Sequence, residues 1–103
     1  MPLHEALWSE YKAVVPEAVT SAFAVFKMMQ GDFKKSIIWG SNFGRDADTI
    51  AAIAGALSGA MHGASLIPKP WIEKVRYAAG TCLPFTRGMD LENVAQQLVA
   101  LIK

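Results

Sequence analysis

The sequence predicts an all-α fold of about six helices, and three observations carry that prediction. Apolar residues recur at three- and four-residue spacing along most of the chain, and no stretch alternates with period two long enough to make a strand. Proline, glycine and aspartate stand where helices begin and end. Hydrophobic residues make up 52% and charged residues 18% of the 103 positions, which is a globular and not a disordered composition. A chain of this length forms a single domain, residues 1–103.

The elements follow in order. Leu3, Leu7 and Tyr11 are spaced by four and mark a short first helix. Pro16 opens a second, running to about Gln30, because proline suits the first helical position; Val19, Ala22, Phe23, Phe26 and Met29 form its apolar stripe and Gly31 stops it. Met28, Met29 and the phenylalanines of this helix read as core. Asp32 caps a third helix, Phe33 to Trp39 or Ser41, with Phe33, Ile37 and Ile38 inward. Gly40, Ser41, Asn42 and Gly44 read as a loop. The fourth helix runs from about Asp48 to Met61 or His62, with Ala51, Gly55, Gly59 and Gly63 four apart. Helical glycine is costly, so close packing is expected to compensate at its internal glycines. Ile50, Ile53 and Leu57 cover another face of the same helix. Pro68 and Pro70 start a fifth helix carrying Trp71, Ile72, Val75 and Tyr77. Ala79 to Gly88 is a loop, and Asp90 caps a last helix with Leu91, Val94, Leu98, Leu101 and Ile102 at helical spacing.

Charge and cysteine narrow the function classes. Ten basic and nine acidic residues give a net +1, which is no footprint for a nucleic-acid or anionic-membrane binder. The single cysteine, Cys82, fits a reducing, cytoplasmic compartment, and the first residues lack the pattern of a signal peptide. Thr49 to Pro68 carries no charge over a bilayer's length, about 20 residues. It is built from Ala, Gly and Ser, contains His62 and ends on proline, so a core helix is the better reading than a membrane span.

Chemistry concentrates in Gly44-Arg45-Asp46-Ala47-Asp48-Thr49, at the start of the small-residue helix. Two readings stand side by side. Carboxylates at a helix start can cap free N–H groups and meet the positive end of the dipole, and spacing alone favours this. Asp46, Asp48 and Thr49 are also hard oxygen donors for Mg²⁺ or Ca²⁺, and they converge if Asp46 is still in the loop while Asp48 is in the first turn. Three protein oxygens are too few to close such a shell. The other candidates are weaker. His62 reads as a helix C-terminal histidine and His4 as a terminal one. Cys82 reads as a buried or half-buried thiol, Arg45 as solvent-facing, and Trp39 and Phe43 as packing the loop against the core. Lys27, Lys34 and Lys35 form a solvated face.

The run Asn42-Phe43-Gly44-Arg45-Asp46-Ala47-Asp48-Thr49-Ile50-Ala51-Ala52-Ile53-Ala54-Gly55-Ala56 resembles the C-terminal signature of the ADP-ribosylglycohydrolase family. The similarity continues through Gly59-Ala60, His62-Gly63, Ile67-Pro68 and Trp71, and upstream Pro16-Glu17-Ala18 also fits. The resemblance implies a helical fold and hydrolysis of the glycosidic bond joining ADP-ribose to an acceptor. It implies a site with Mg²⁺, or Mn²⁺ in some members, to which Asp46, Asp48 and Thr49 would contribute ligands. The family's N-terminal Gly-Asp stretch and Thr-Asp-Asp metal motif have no counterpart in this sequence. The chain therefore resembles the C-terminal third of a member, truncated or split, and is expected to be catalytically incomplete alone. Exposed apolar surface of such a piece would be met by a second copy or by a complementary N-terminal chain. The other reading is a non-catalytic helical interaction module.

Overall fold

The computed structural model describes residue 10 and residues 13–102. The helix expected over Leu3–Tyr11 lies outside the described residues apart from Glu10. Five α-helices follow, α1 (Val15–Met28), α2 (Phe33–Asn42), α3 (Ala47–His62), α4 (Lys69–Val75) and α5 (Leu91–Val99). Short 3₁₀ turns occupy Ala64–Leu66 and Pro84–Thr86. Among the described residues there is no strand, only an isolated bridge between Tyr77 and Asp90, so the all-α expectation holds. No helix among them is long and apolar enough to cross a membrane. The chain divides into two compact units between Ile67 and Pro68.

In the first unit α3 packs against both α1 and α2. α1 begins with Pro16 in its first turn, as expected, but its buried stripe is Glu17, Ala18, Ser21, Ala22 and Val25. The stripe is rotated by one residue step from the one containing Phe23, which stands 52% exposed, and Met28 is exposed as well. The period was right and the face was not. Small side chains let α1 approach α3 closely, and the bulky ones are left outside the contact. The core is correspondingly thin: Ala22, Val25, Ile50 and Ala54, with Met29, Phe43 and Ile53 against them.

Asp32 caps α2 as expected, its carboxylate accepting from the Lys35 N–H at 2.8 Å. The helix then runs through Gly40, Ser41 and Asn42, which read as a loop in the sequence. Gly40 is buried, and a Cβ there would fall 2.9 Å from the Ala51 Cα. Glycine at this point is the place where α2 and α3 touch backbone to backbone, and that contact overrides its poor helix propensity. One turn earlier, the buried Ser58 Oγ donates to Ser36 Oγ at 3.3 Å, satisfying two hydroxyls between the same helices.

Close packing compensates at one internal glycine of α3 and not at the other. At Gly55 an added Cβ would come 2.5 Å from Ile37 Cδ1, whereas at Gly59 it would meet nothing within 4 Å. Gly59→Ala is therefore expected to stabilise the unit by about 0.5–1 kcal/mol, the helix-propensity gain with no steric penalty. Urea unfolding of the two proteins checks this, and a lower midpoint for the variant would contradict the open surroundings of Gly59.

The second unit is held by one charged knot. Arg76 clasps Asp90 through Nε–Oδ1 at 3.0 Å and Nη2–Oδ2 at 2.8 Å, and its Nη1 lies 3.2 Å from Glu92 Oε2. The same Asp90 caps α5 by accepting from the Glu92 N–H at 3.0 Å. Backbone bonds Ala78 N to Met89 O (3.0 Å) and Leu91 N to Arg76 O (2.9 Å) close the loop between them. The Arg76 guanidinium holds the Asp90 carboxyl below its ordinary range. Leu91, Val94 and Leu98 keep the expected helical spacing on α5, yet Leu91 and Leu98 are exposed.

Candidate metal centre

The turn before α3 is built from two consecutive residues in the left-handed region, Gly44 at φ 86° and Arg45 at φ 58°. Glycine takes this conformation freely, while arginine takes it only under constraint. The chain enters helix at Asp46, whose carbonyl accepts the Ile50 N–H at 3.0 Å. Phe43, just upstream, is half-buried against the core, as expected of it.

Asp46 stands at the N-cap position, but its side chain accepts no capping hydrogen bond. The neighbouring Asp46 side chain, together with the backbone amides of Thr49 and Asp48, holds the Asp48 carboxyl below the ordinary carboxylate range. Asp46 and Thr49 are half-buried and Asp48 is exposed. Two carboxylates and a hydroxyl thus gather at the positive end of a helix, open to solvent. Among the described residues no three His, Cys, Asp or Glu side chains form a cluster able to hold a metal. The donor chemistry fits a hard divalent cation, and the donor number fits part of a shell.

Arg45 is not solvent-facing. It forks onto Glu17, with Nε to Oε1 at 2.6 Å and Nη2 to Oε2 at 3.1 Å. The Glu17 side chain is only 1% exposed and that of Arg45 20%. The carboxylate raises the proton affinity of the guanidinium, which stays charged throughout. Glu17 is the participant the sequence reading missed. The signal was present, because a glutamate on the same helical stripe as Ser21 and Val25, all buried, needs a cation. Ser21, one turn along, is fully buried, and its hydroxyl has no hydrogen-bond partner among the described residues.

The remaining candidates fall away from this site. His62 ends α3 as expected. A helical rise of 1.5 Å per residue sets it roughly 21 Å along the axis from Asp48. Cys82 is exposed and free, not buried, because it lies in the open loop before Pro84. Trp39 is 58% exposed on the outer side of α2 instead of packing against the core, since the helix continues past it and turns it outward. Lys27, Lys34 and Lys35 are exposed as expected. An open apolar depression of about 620 Å³, lined by Phe23, Phe26, Lys27, Gly31 and Met61 among others, lies by the far end of α3 from Asp46.

The chain matches the ADP-ribosylglycohydrolase family over residues 1–103. Over 44 residues it is 46% identical to the ADP-ribosylarginine hydrolase Tri1 of Serratia proteamaculans, covering 43% of this chain and 12% of that protein. Over 63 residues it is 46% identical to an uncharacterized protein of Archaeoglobus fulgidus, covering 61% of this chain and 18% of that one. Over 43 residues it is 46% identical to the ADP-ribosyl-[dinitrogen reductase] glycohydrolase of Rhodospirillum rubrum, covering 42% of this chain and 15% of that protein. The matched segments thus span between 12% and 18% of these relatives' lengths. No solved structure matches the chain significantly. With the match running over all of residues 1–103, the chain belongs to the ADP-ribosylglycohydrolase family.

Proposed function

We propose that this chain carries part of the divalent-cation site of an ADP-ribosylglycohydrolase-like hydrolase, with Asp46, Asp48 and Thr49 as its ligands. The observation that supports this reading best is the Asp46 carboxyl group, which stands at the N-cap and accepts no capping bond. A capping cluster would use that oxygen on a helix N–H. Two of the relatives are named for removing ADP-ribosyl groups, from arginine and from dinitrogen reductase, and cleavage of such a glycosidic bond is the reaction proposed here.

Asp46, Asp48 and Thr49 would hold a Mg²⁺ or Mn²⁺, which would supply Lewis-acid activation of substrate oxygens and water. The chain's own part is to present anionic oxygens in a fixed arrangement. Asp46 and Asp48 bring the negative charge and Thr49 a neutral oxygen, at the positive end of the helix dipole. Arg45, engaged by Glu17, does not compete for them. An octahedral shell needs about six oxygens, so water, substrate and residues of a complementary segment complete it. The exposed apolar side chains of the first unit, Phe23, Met28, Trp39 and Met61, offer surface that such a segment or a second copy would cover.

A second reading, a non-catalytic helical interaction module, is favoured by the lack of a third carboxylate near Asp46 and Asp48 among the described residues. Calorimetric titration with Mn²⁺ at neutral pH separates the two. The proposed site binds weakly, with a Kd on the order of a millimolar, as expected of few protein oxygens. Asp46→Asn/Asp48→Asn weakens it by roughly tenfold or more at unchanged circular dichroism, because asparagine serves a helix start as well as aspartate and neither residue is in the core. No binding by the unaltered chain would leave the module reading. Robust release of ADP-ribose by the chain alone would overturn the claim that the site is shared.

A further inference from the structure

We propose that Glu17 is a positioning residue: through Arg45 it holds the turn of residues 44–48 against α1 and so fixes, before any cation binds, where Asp46 and Asp48 stand. The metal half of this inference rests on the function proposed above; the mechanical half stands on geometry alone. Arg45 lies immediately before the first carboxylate and adopts a left-handed backbone that only an external constraint maintains. The constraint is visible. Both oxygens of Glu17 meet the guanidinium fork, at 2.6 and 3.1 Å, and Glu17 itself is fixed on the buried face of α1. A bidentate pair of this kind fixes orientation as well as distance. The turn is also supported by the Phe43 N–H to Gly40 carbonyl bond (3.3 Å), the Ile50 N–H to Asp46 carbonyl bond (3.0 Å) and the packing of Phe43 against the core. The ion pair reaches across 28 residues to tie it to α1.

The arrangement also gives Arg45 a structural role within the fold. Two of its donors, Nε and Nη2, fork onto a carboxylate within the fold, so the residue acts as a strut beside the site.

The test compares the unaltered chain with Glu17→Gln and Arg45→Lys by amide hydrogen exchange and by Mn²⁺ titration. A strut predicts that Glu17→Gln speeds exchange of the Ile50 amide roughly tenfold or more while the Ser36 amide, bonded to Asp32 in α2, keeps its protection. Mn²⁺ affinity falls by roughly tenfold in the same variant, the size expected when a ligand's support is removed. Arg45→Lys, which retains the charge without the fork, falls between. If the unaltered chain binds no Mn²⁺, the cation reading fails while the exchange data still decide the strut. Uniformly faster exchange at Ile50 and Ser36 would show a general tie of the fold and overturn the proposal. So would a Glu17→Gln protein with unchanged exchange.

Discussion

Gly40→Ala is expected to destabilise the first unit by about 2 kcal/mol, the cost of forcing a methyl group into a filled contact. The added Cβ would lie 2.9 Å from Ala51 Cα, 3.2 Å from Ala51 N and 3.3 Å from Ala51 Cβ. Two of these atoms are backbone and cannot rotate away. α2 and α3 must therefore separate, which also stretches the 3.3 Å Ser36–Ser58 bond between them. The helix-propensity gain of alanine over glycine, about 1 kcal/mol at most, does not offset this. Gly55→Ala makes a useful contrast. Its clash is with Ile37 Cδ1, the tip of a flexible side chain, so a change of rotamer relieves most of it. The expected order of urea midpoints is Gly59→Ala above the unaltered chain, then Gly55→Ala, then Gly40→Ala lowest. A Gly40→Ala protein as stable as the unaltered one would mean that the helices do not approach this closely.

The same residues show what the sequence can and cannot reveal. Asp32, Asp90 and Pro16 were readable because capping and the first helical turn are local: each acts within three or four residues of itself. Gly40 was misread as loop because its reason for being glycine is Ala51, on another helix. Phe23 was misplaced for a related cause. Periodicity gives a stripe, and which side of the helix is buried depends on how closely its neighbour approaches. That Asp46, Asp48 and Thr49 stand together at a helix start was legible because they are close in the chain. Arg45 was read as solvent-facing because its partner is remote and sits inside a helix that otherwise reads as apolar. A long-range ion pair leaves no periodic trace; the only hint is a charged residue at a position where the helix has to be buried.

Arg45→Met is expected to give the chain a new dependence of stability on pH. In the unaltered protein Glu17 is buried as an anion beside a guanidinium that remains charged at every accessible pH. The methionine keeps much of the side chain's length and removes the neutralising charge. Burial then raises the Glu17 carboxyl above its unfolded value of about 4.3. Between that value and the raised one, the folded variant binds more protons than the unfolded chain, so its stability falls as pH rises through this window and levels off above it. Below the window the acid is neutral in both states, and the variant differs from the parent only by lost packing and hydrogen bonds. At neutral pH, Glu17 held as a buried anion without the guanidinium costs about 3 kcal/mol. Glu17→Gln placed in the Arg45→Met background removes the added titrating group, so the double variant should follow the parent's pH profile and, at neutral pH, be more stable than Arg45→Met alone. Urea midpoints measured from pH 4 to pH 8 for the parent, the single and the double variant check each step. If Arg45→Met is too unstable to fold at neutral pH, the window is entered from the acid side, where it refolds. A single variant that follows the parent's pH profile would show that Glu17 does not depend on Arg45 for its charge. The ion pair would then be a surface contact, and the left-handed Arg45 backbone would need another support.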